Sequence, residues 1–126
     1  MNLNVVEINA FVPARDMKAS LDFYRAIGFE VPWEAEDLAY VHCRTAAFLL
    51  QKFYVPEHAG NFMMHMQVEN ADDWYQRVID SGVRETFGSP VGPPEDRPWL
   101  LRDFTLVDPT GVLWRIGHRL PGPKGD

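Results

Sequence analysis

A few side chains in this sequence could do chemistry, depending on how they are placed. They are the imidazoles His42 and His65, the carboxylate Glu7, the amides Asn9 and Gln51, and the guanidinium groups Arg102 and Arg115. A borderline divalent ion wants imidazole nitrogens and carboxylate oxygens, so His65, Glu7 and His42 together could bind a metal. Alternatively His65 or Glu7 could act alone as a proton-transfer base. The plainer reading is that these are single polar groups lining a wet cavity. Arg102 and Arg115 could fix a ligand carboxylate, or pair internally with Glu7, because an unpaired buried charge is costly. Around them Phe11, Trp33, Tyr40, Phe53, Trp99 and Phe104 could wall a cavity and stack a planar or cationic ligand. Trp99 stands out because it ends a proline-rich loop, whereas Trp74 and Trp114 should pack between helix and sheet. His58 and His118 are expected in solvent. No nucleophile–base pair is visible, Cys43 is expected on a helix-facing side, and there is no Gly-rich phosphate loop and no H-E-x-x-H element.

The elements that must position these groups follow from periodicity. Residues 5–12 alternate, with Val6, Ile8, Ala10 and Val12 on one face and Val5, Glu7, Asn9 and Phe11 on the other. The aliphatic face should pack under a helix, which leaves the mixed face for function. Pro13 should end this strand. Asp16 caps a helix whose stripe is Met17, Leu21, Tyr24 and Ile27, Gly28 closes it, and residues 29–31 are extended. After a turn, residues 38–43 form a strand with Tyr40 and His42 on one face. Residues 46–54 form another, with Phe48 and Leu50 opposite Ala47, Leu49, Gln51 and Phe53.

Residues 55–60 then read as a connector, and the plan recurs. A strand at 62–68 separates Met64, Met66 and Val68 from Met63, His65 and Gln67. Asn70 caps a helix that stops at Ser81-Gly82. Residues 83–87 read as a short strand, and residues 88–98, with four prolines and two glycines, as an irregular loop. Two strands at 100–107 and 112–118 flank the turn Asp108-Pro109-Thr110-Gly111, and residues 120–126 should fray. The two halves are a diverged duplication, with modules at about 4–54 and 61–119.

At 126 residues and 46% hydrophobic, the chain is sized for one compact domain. A net charge of −6 argues against a phosphate-backbone binder and is compatible with a cationic small ligand. A single cysteine excludes an intramolecular disulfide, and no apolar run approaches the roughly 18 residues of a membrane span. The expectation is a soluble, cytoplasmic protein with no nucleic-acid or membrane partner.

Two tandem copies of strand–helix–three strands resemble the vicinal oxygen chelate superfamily, which contains glyoxalase I, extradiol dioxygenases, and the bleomycin and fosfomycin resistance proteins. The carrying motifs are VPARDMKASLDFY in the first copy and LVDPTGVLWRI in the last hairpin. Pro13-Ala14-Arg15-Asp16 and residues 108–115 are most similar to the bleomycin-resistance type, with Thr110 in place of the usual Asp. The resemblance implies an α+β fold in which two βαβββ modules form concave mixed sheets around a cavity, helices outside. It also implies a homodimer, in some members with the N-terminal strand exchanged about the proline. Metal-dependent members draw His, Gln or Glu from the first and last strands of each module. The matching positions here are Asn9, Met63, Gln51 and Arg115, and a guanidinium cannot ligate. The expectation is therefore no metal cofactor and no catalysis: a protein that sequesters a drug or aromatic metabolite. Glu7, Asn9, Phe11, Trp33, Tyr40, His42, Gln51, His65, Trp99, Arg102, Phe104 and Arg115 would line its site. The alternative is a lyase, isomerase or dioxygenase using Zn, Mn, Ni or Fe through relocated ligands.

Overall fold

A computed structural model of the chain describes residues 1–122; residues 123–126, at the end of the expected frayed tail, lie outside the described residues. Within that tail Leu120 is tied down, its N–H donating to Leu100 O at 2.9 Å. Two four-stranded mixed sheets carry the architecture. The first holds β1 (Phe11–Ala14), β2 (Glu30–Glu34), β3 (Leu38–Cys43) and β4 (Ala46–Lys52) in the order β1-β4-β3-β2. The second holds β5 (Met63–Gln67), β6 (Glu95–Asp96), β7 (Leu101–Val107) and β8 (Leu113–Arg119) in the order β5-β8-β7-β6. In each sheet the first strand runs parallel to the last, and the remaining pairs are antiparallel. The duplicated βαβββ plan is thus present in both halves.

Helix α1 (Met17–Ala26) starts where Asp16 accepts from Ala19 N, and α3 (Ala71–Ser81) where Asn70 accepts from Asp73 N. Both caps satisfy an otherwise orphan amide of the first turn. The helices cover one face of each sheet, and the two helix-covered faces meet in a single core. Phe23 of α1 packs edge-on against Phe87, and Phe29 and Phe48 of the first half pack against Trp114 of the second. Each sheet therefore turns its other face, here called the open face, away from its partner sheet.

A buried polar knot joins the halves. Asp108 Oδ1 accepts from the amides of Thr110, Gly111 and Val112 at 2.8, 3.0 and 2.9 Å, which builds the hairpin between β7 and β8. Its Oδ2 accepts from Tyr24 Oη at 2.5 Å, and Trp114 Nε1 donates to the same phenol at 2.9 Å. Thr110 Oγ1 accepts from Arg15 N and lies 3.3 Å from Ser20 Oγ. Burial pushes the Asp108 carboxyl up, against the opposing effect of these donors, and burial likewise raises Tyr24. The two sequence motifs that carry the resemblance are in this way one contact, in which the start of α1 docks on the last hairpin.

Four sequence expectations are corrected. The first strand begins at Phe11, not residue 5, and Pro13 lies inside it. A proline is tolerated there because β1 is an edge strand bonded only to β4. Residues 83–87 are not a strand but the one-turn helix α4 (Val83–Phe87), restarted after Gly82 adopts φ +78. Val83 and Phe87 are four apart, so they share a helical face, and burial of Val83 decides for the helix. The connector contains a short helix, α2 (Pro56–Asn61), with proline at its first position. The proline-rich loop carries β6 and a bridge from Val91 to Leu106.

Candidate functional site

Alternation along the strands sorts the expected site residues between the two faces. On the first sheet Val12, Ala14, Ala39, Val41, Phe48 and Leu50 are buried under α1, so the opposite set is open. That set includes Phe11 paired with Leu49, Trp33 with Tyr40, Tyr40 with Leu49, His42 with Ala47, and Gln51 with Pro13. Phe11 and Trp33 are half exposed, at 50% and 51%. Tyr40 Oη donates to Glu7 at 2.7 and 2.9 Å, and this hydrogen bond raises the Tyr40 phenol. Asn9, with its amide oriented to satisfy both ends, donates to Glu7 Oε1 at 3.1 Å and to Ala47 O at 3.2 Å. His42 leans towards Tyr40 and lies 4.0 Å from Glu30. The structure thus brings Glu7, Asn9, Tyr40 and His42 together, with Phe11, Trp33 and Gln51 on the same open face.

On the second sheet the open rows are Met63–Leu113–Val107, His65–Arg115–Thr105 and Gln67–Gly117–Asp103. His65, and not Met63, is therefore the register neighbour of Arg115. Arg115 is 3.4 Å from both oxygens of Asp103, and its guanidinium lies 6.0 Å from the exposed Trp99 ring. Asp103 is fully buried and also accepts from Arg97 Nε at 2.8 Å. Trp99 is held at the tip of a tight loop: Arg97 N donates to Leu101 O, and Leu100 adopts a left-handed φ of +64.

Several expected placements are corrected. Phe104 is fully buried and packs edge-on against Tyr75 of α3, so it belongs to the core and not to the open face. Arg102, two residues before it, shares that side and forms a fork with Asp72 of α3 and with Asp96, which raises its pKa further. The cause in both cases is the phase of β7, because Leu106 in the core fixes its even-numbered residues towards the helix. Arg115 pairs with Asp103 and not with Glu7. His118 is not a solvated end group: its Nδ1 accepts from Ala71 N and caps α3. His58 is exposed, and its ring packs against Phe53 and Phe62. Cys43 lies on the helix-facing side as expected, and Trp74 and Trp114 pack against the core. Sequence reasoning missed Asp103 and Arg97. The signal available was parity, since Asp103 must oppose Phe104 across the strand.

Among the described residues no group of three or more His, Cys, Asp or Glu side chains is placed to hold a metal ion. The relocated triad of His65, Glu7 and His42 is not assembled. His65 stands on the second sheet, while Glu7 reaches the first sheet at Tyr40 and His42 lies in β3. The residues at the family's ligand positions fit a divalent ion poorly: two are amides, one a thioether and one a permanent cation.

A further feature is a cleft of about 890 Å³ between the two sheets. One wall is residues 43–48, along the edge of β4 that β1 leaves bare, and the other is residues 64–69, along the unpaired edge of β5. Its floor is apolar and includes Phe29, Phe48, Met64, Trp74 and Trp114. The segment before β1 lies outside this cleft with Val6 and Ile8 94% and 89% exposed. Among the described residues no helix is long and apolar enough to cross a membrane.

Comparison with known proteins gives a consistent answer. The family model described as Glyoxalase/Bleomycin resistance protein/Dioxygenase superfamily matches residues 4–116. Among solved structures, a bleomycin-binding protein complexed with bleomycin is 20% identical with a TM-score of 0.78, covering 90% of this chain and 98% of that one. A bleomycin resistance determinant encoded on transposon Tn5 is 21% identical with a TM-score of 0.78, covering 90% and 97%. TnmS3, an antibiotic binding protein from Streptomyces sp. CB03234, is 20% identical with a TM-score of 0.74, covering 94% and 98%. At these identities the likeness establishes the fold. No curated protein matches the sequence.

Proposed function

The chain belongs to the glyoxalase/bleomycin resistance/dioxygenase superfamily, and we propose that within it the protein is a metal-free, homodimeric, cytoplasmic binder that sequesters a small drug or aromatic metabolite. The observation that carries this reading is the set of half-exposed aromatic rings on the open faces, Phe11 and Trp33 on the first sheet, beside the partly buried Tyr40, and Trp99 on the second. Large aromatic rings are normally buried, and a cluster of them beside hydrogen-bonding groups is what a flat ligand needs. The polar groups nearby are engaged with each other, as Glu7 is with Tyr40 and Arg115 with Asp103, which suits orientation more than proton transfer. Arg115 beside His65 argues against a cation at that position. The structural likeness to bleomycin-binding and antibiotic-binding proteins supports the same reading.

The geometry of one chain supports the dimer. Its two open faces point away from each other, so a ligand clasped from both sides needs the second sheet of another copy. The apolar cleft beside β5 has the form of a missing strand. Residues 3–10, extended over about 26 Å at a strand's rise, would fit there with Val6 and Ile8 on the apolar floor and Glu7 and Asn9 on the open face. A second copy of this chain supplies that segment.

The test is thermal-shift screening against metal-free bleomycin and flat aromatic compounds, followed by titration of Trp33→Ala and Trp99→Ala. Saturable binding that each substitution weakens by about tenfold, with the ligand recovered unchanged, is the expected result. Conversion of a bound compound to product, or a requirement for added metal, would replace this reading with the enzymatic one.

A further inference from the structure

Asp103 is the most deeply buried carboxylate on an open face, and the second sheet is shaped to admit it. Its register partner is Gly117, where a Cβ would lie 2.6 Å from Asp103 Cβ and 2.8 Å from Arg102 O. Only glycine leaves room for the acid at that point. A buried charge must be matched by a partner, and here two guanidinium groups share it. Arg97 takes the shorter contact, 2.8 Å, and is also 3.5 Å from the exposed Glu95. Arg115 is held loosely, at 3.4 Å, through Nη1 alone among the described residues. Its Nε and Nη2 donors remain available, and a guanidinium presents them as a planar fork suited to a carboxylate.

The surroundings of Arg115 point the same way. The Trp99 ring, 57% exposed, lies 6.0 Å from the guanidinium. Beside it a hollow of about 390 Å³ is bounded by His65, Gln67, Trp99, Leu101 and Arg119. Arg119 lies two residues beyond Gly117 on β8, on the same face as Arg115, and is the cation that lines this hollow. No acid lines this hollow among the described residues. The first sheet is the opposite, with Glu30 and Glu34 in β2. The chain's overall negative charge therefore does not describe this face.

We infer that the open face of the second sheet anchors the anionic group of a flat aromatic ligand, Arg115 taking its carboxylate and Trp99 stacking on its ring. This rests on the sequestration reading above and narrows its ligand to aromatic acids. Asp103 is a positioning residue, since it reaches the ligand only through the arginines.

The experiment is calorimetric titration of the full chain with three probes that share a ring: 2-naphthoate, 2-naphthamide and 2-naphthylmethylammonium. The carboxylate is expected to bind about tenfold more tightly than the amide, and the ammonium more weakly than either. Arg115→Met should erase the preference, the carboxylate losing about tenfold and the amide less. Arg115→Lys keeps a cation beside Asp103, guards against misfolding, and should reduce the preference to about threefold. Equal or tighter binding of the amide or ammonium, or an unchanged preference in both variants, would overturn the anchor. If metal-free bleomycin saturates the protein and no naphthyl probe binds, the anchor falls and sequestration stands. If nothing flat binds at all, both fall.

Discussion

Asp108 shows how one side chain can be mistaken for function. It is buried, perturbed and hydrogen-bonded to a tyrosine, features that often mark a catalytic acid. Yet every partner is structural, and its task is to fasten α1 to the last hairpin. Asp108→Asn would keep an acceptor for the three amides but leave Tyr24 without one, at a cost of about 1–3 kcal/mol in a denaturant melt. The sign of its pH dependence follows from burial raising the carboxyl. A raised folded-state value makes the stabilising contribution largest below the ordinary carboxylate range, and it is lost as pH rises through that value. The stability advantage of wild type over Asp108→Asn should therefore shrink from acid towards neutral pH, and a Tm series on both proteins would show an opposite trend if the assignment is wrong. Gly117→Ala belongs to the same scale: the Asp103 side chain must move, costing about 1–3 kcal/mol and loosening Arg115. At this scale the sequence was informative about Glu7, Tyr40 and Trp99 but silent on Asp103. A buried acid between Arg102 and Phe104 becomes visible only once the phase of β7 is known.

At the scale of elements, periodicity placed the faces of β3, β4 and β5 correctly, because each has a helix-covered apolar side. It failed where a segment lacks that cover. Residues 5–10 alternate as a strand should, yet in one chain they pair with nothing before Ala10 O, which accepts from Leu49 N. The pattern is that of a strand, but its backbone finds no ladder partner among the described residues. Residues 83–87 failed for a different reason, since five residues carry too little periodicity to separate a strand from one helical turn. If residues 3–10 of a second copy fill the cleft, Ile8→Glu would place a charge on its apolar floor. Light scattering should then report a monomer for Ile8→Glu and a dimer for wild type. A dimer in both would send the segment elsewhere.

For the whole molecule, the consequence of packing helices between the sheets is that the two open faces are back to back. Their chemistry differs, acidic and aromatic on the first, arginine and tryptophan on the second. A binding site that uses both must be shared between copies, with Trp33 from one and Trp99 from the other. Co-expression of Trp33→Ala and Trp99→Ala chains under separate affinity tags isolates the mixed dimer, in which one shared site carries both substitutions and the other carries neither. The decisive measurement is the binding stoichiometry of that mixed dimer for a ligand established on wild type. The account predicts one site per mixed dimer at wild-type affinity, against none at that affinity in either parent. Two weakened sites and no wild-type one would place both tryptophans' contributions within single chains and contradict the shared site.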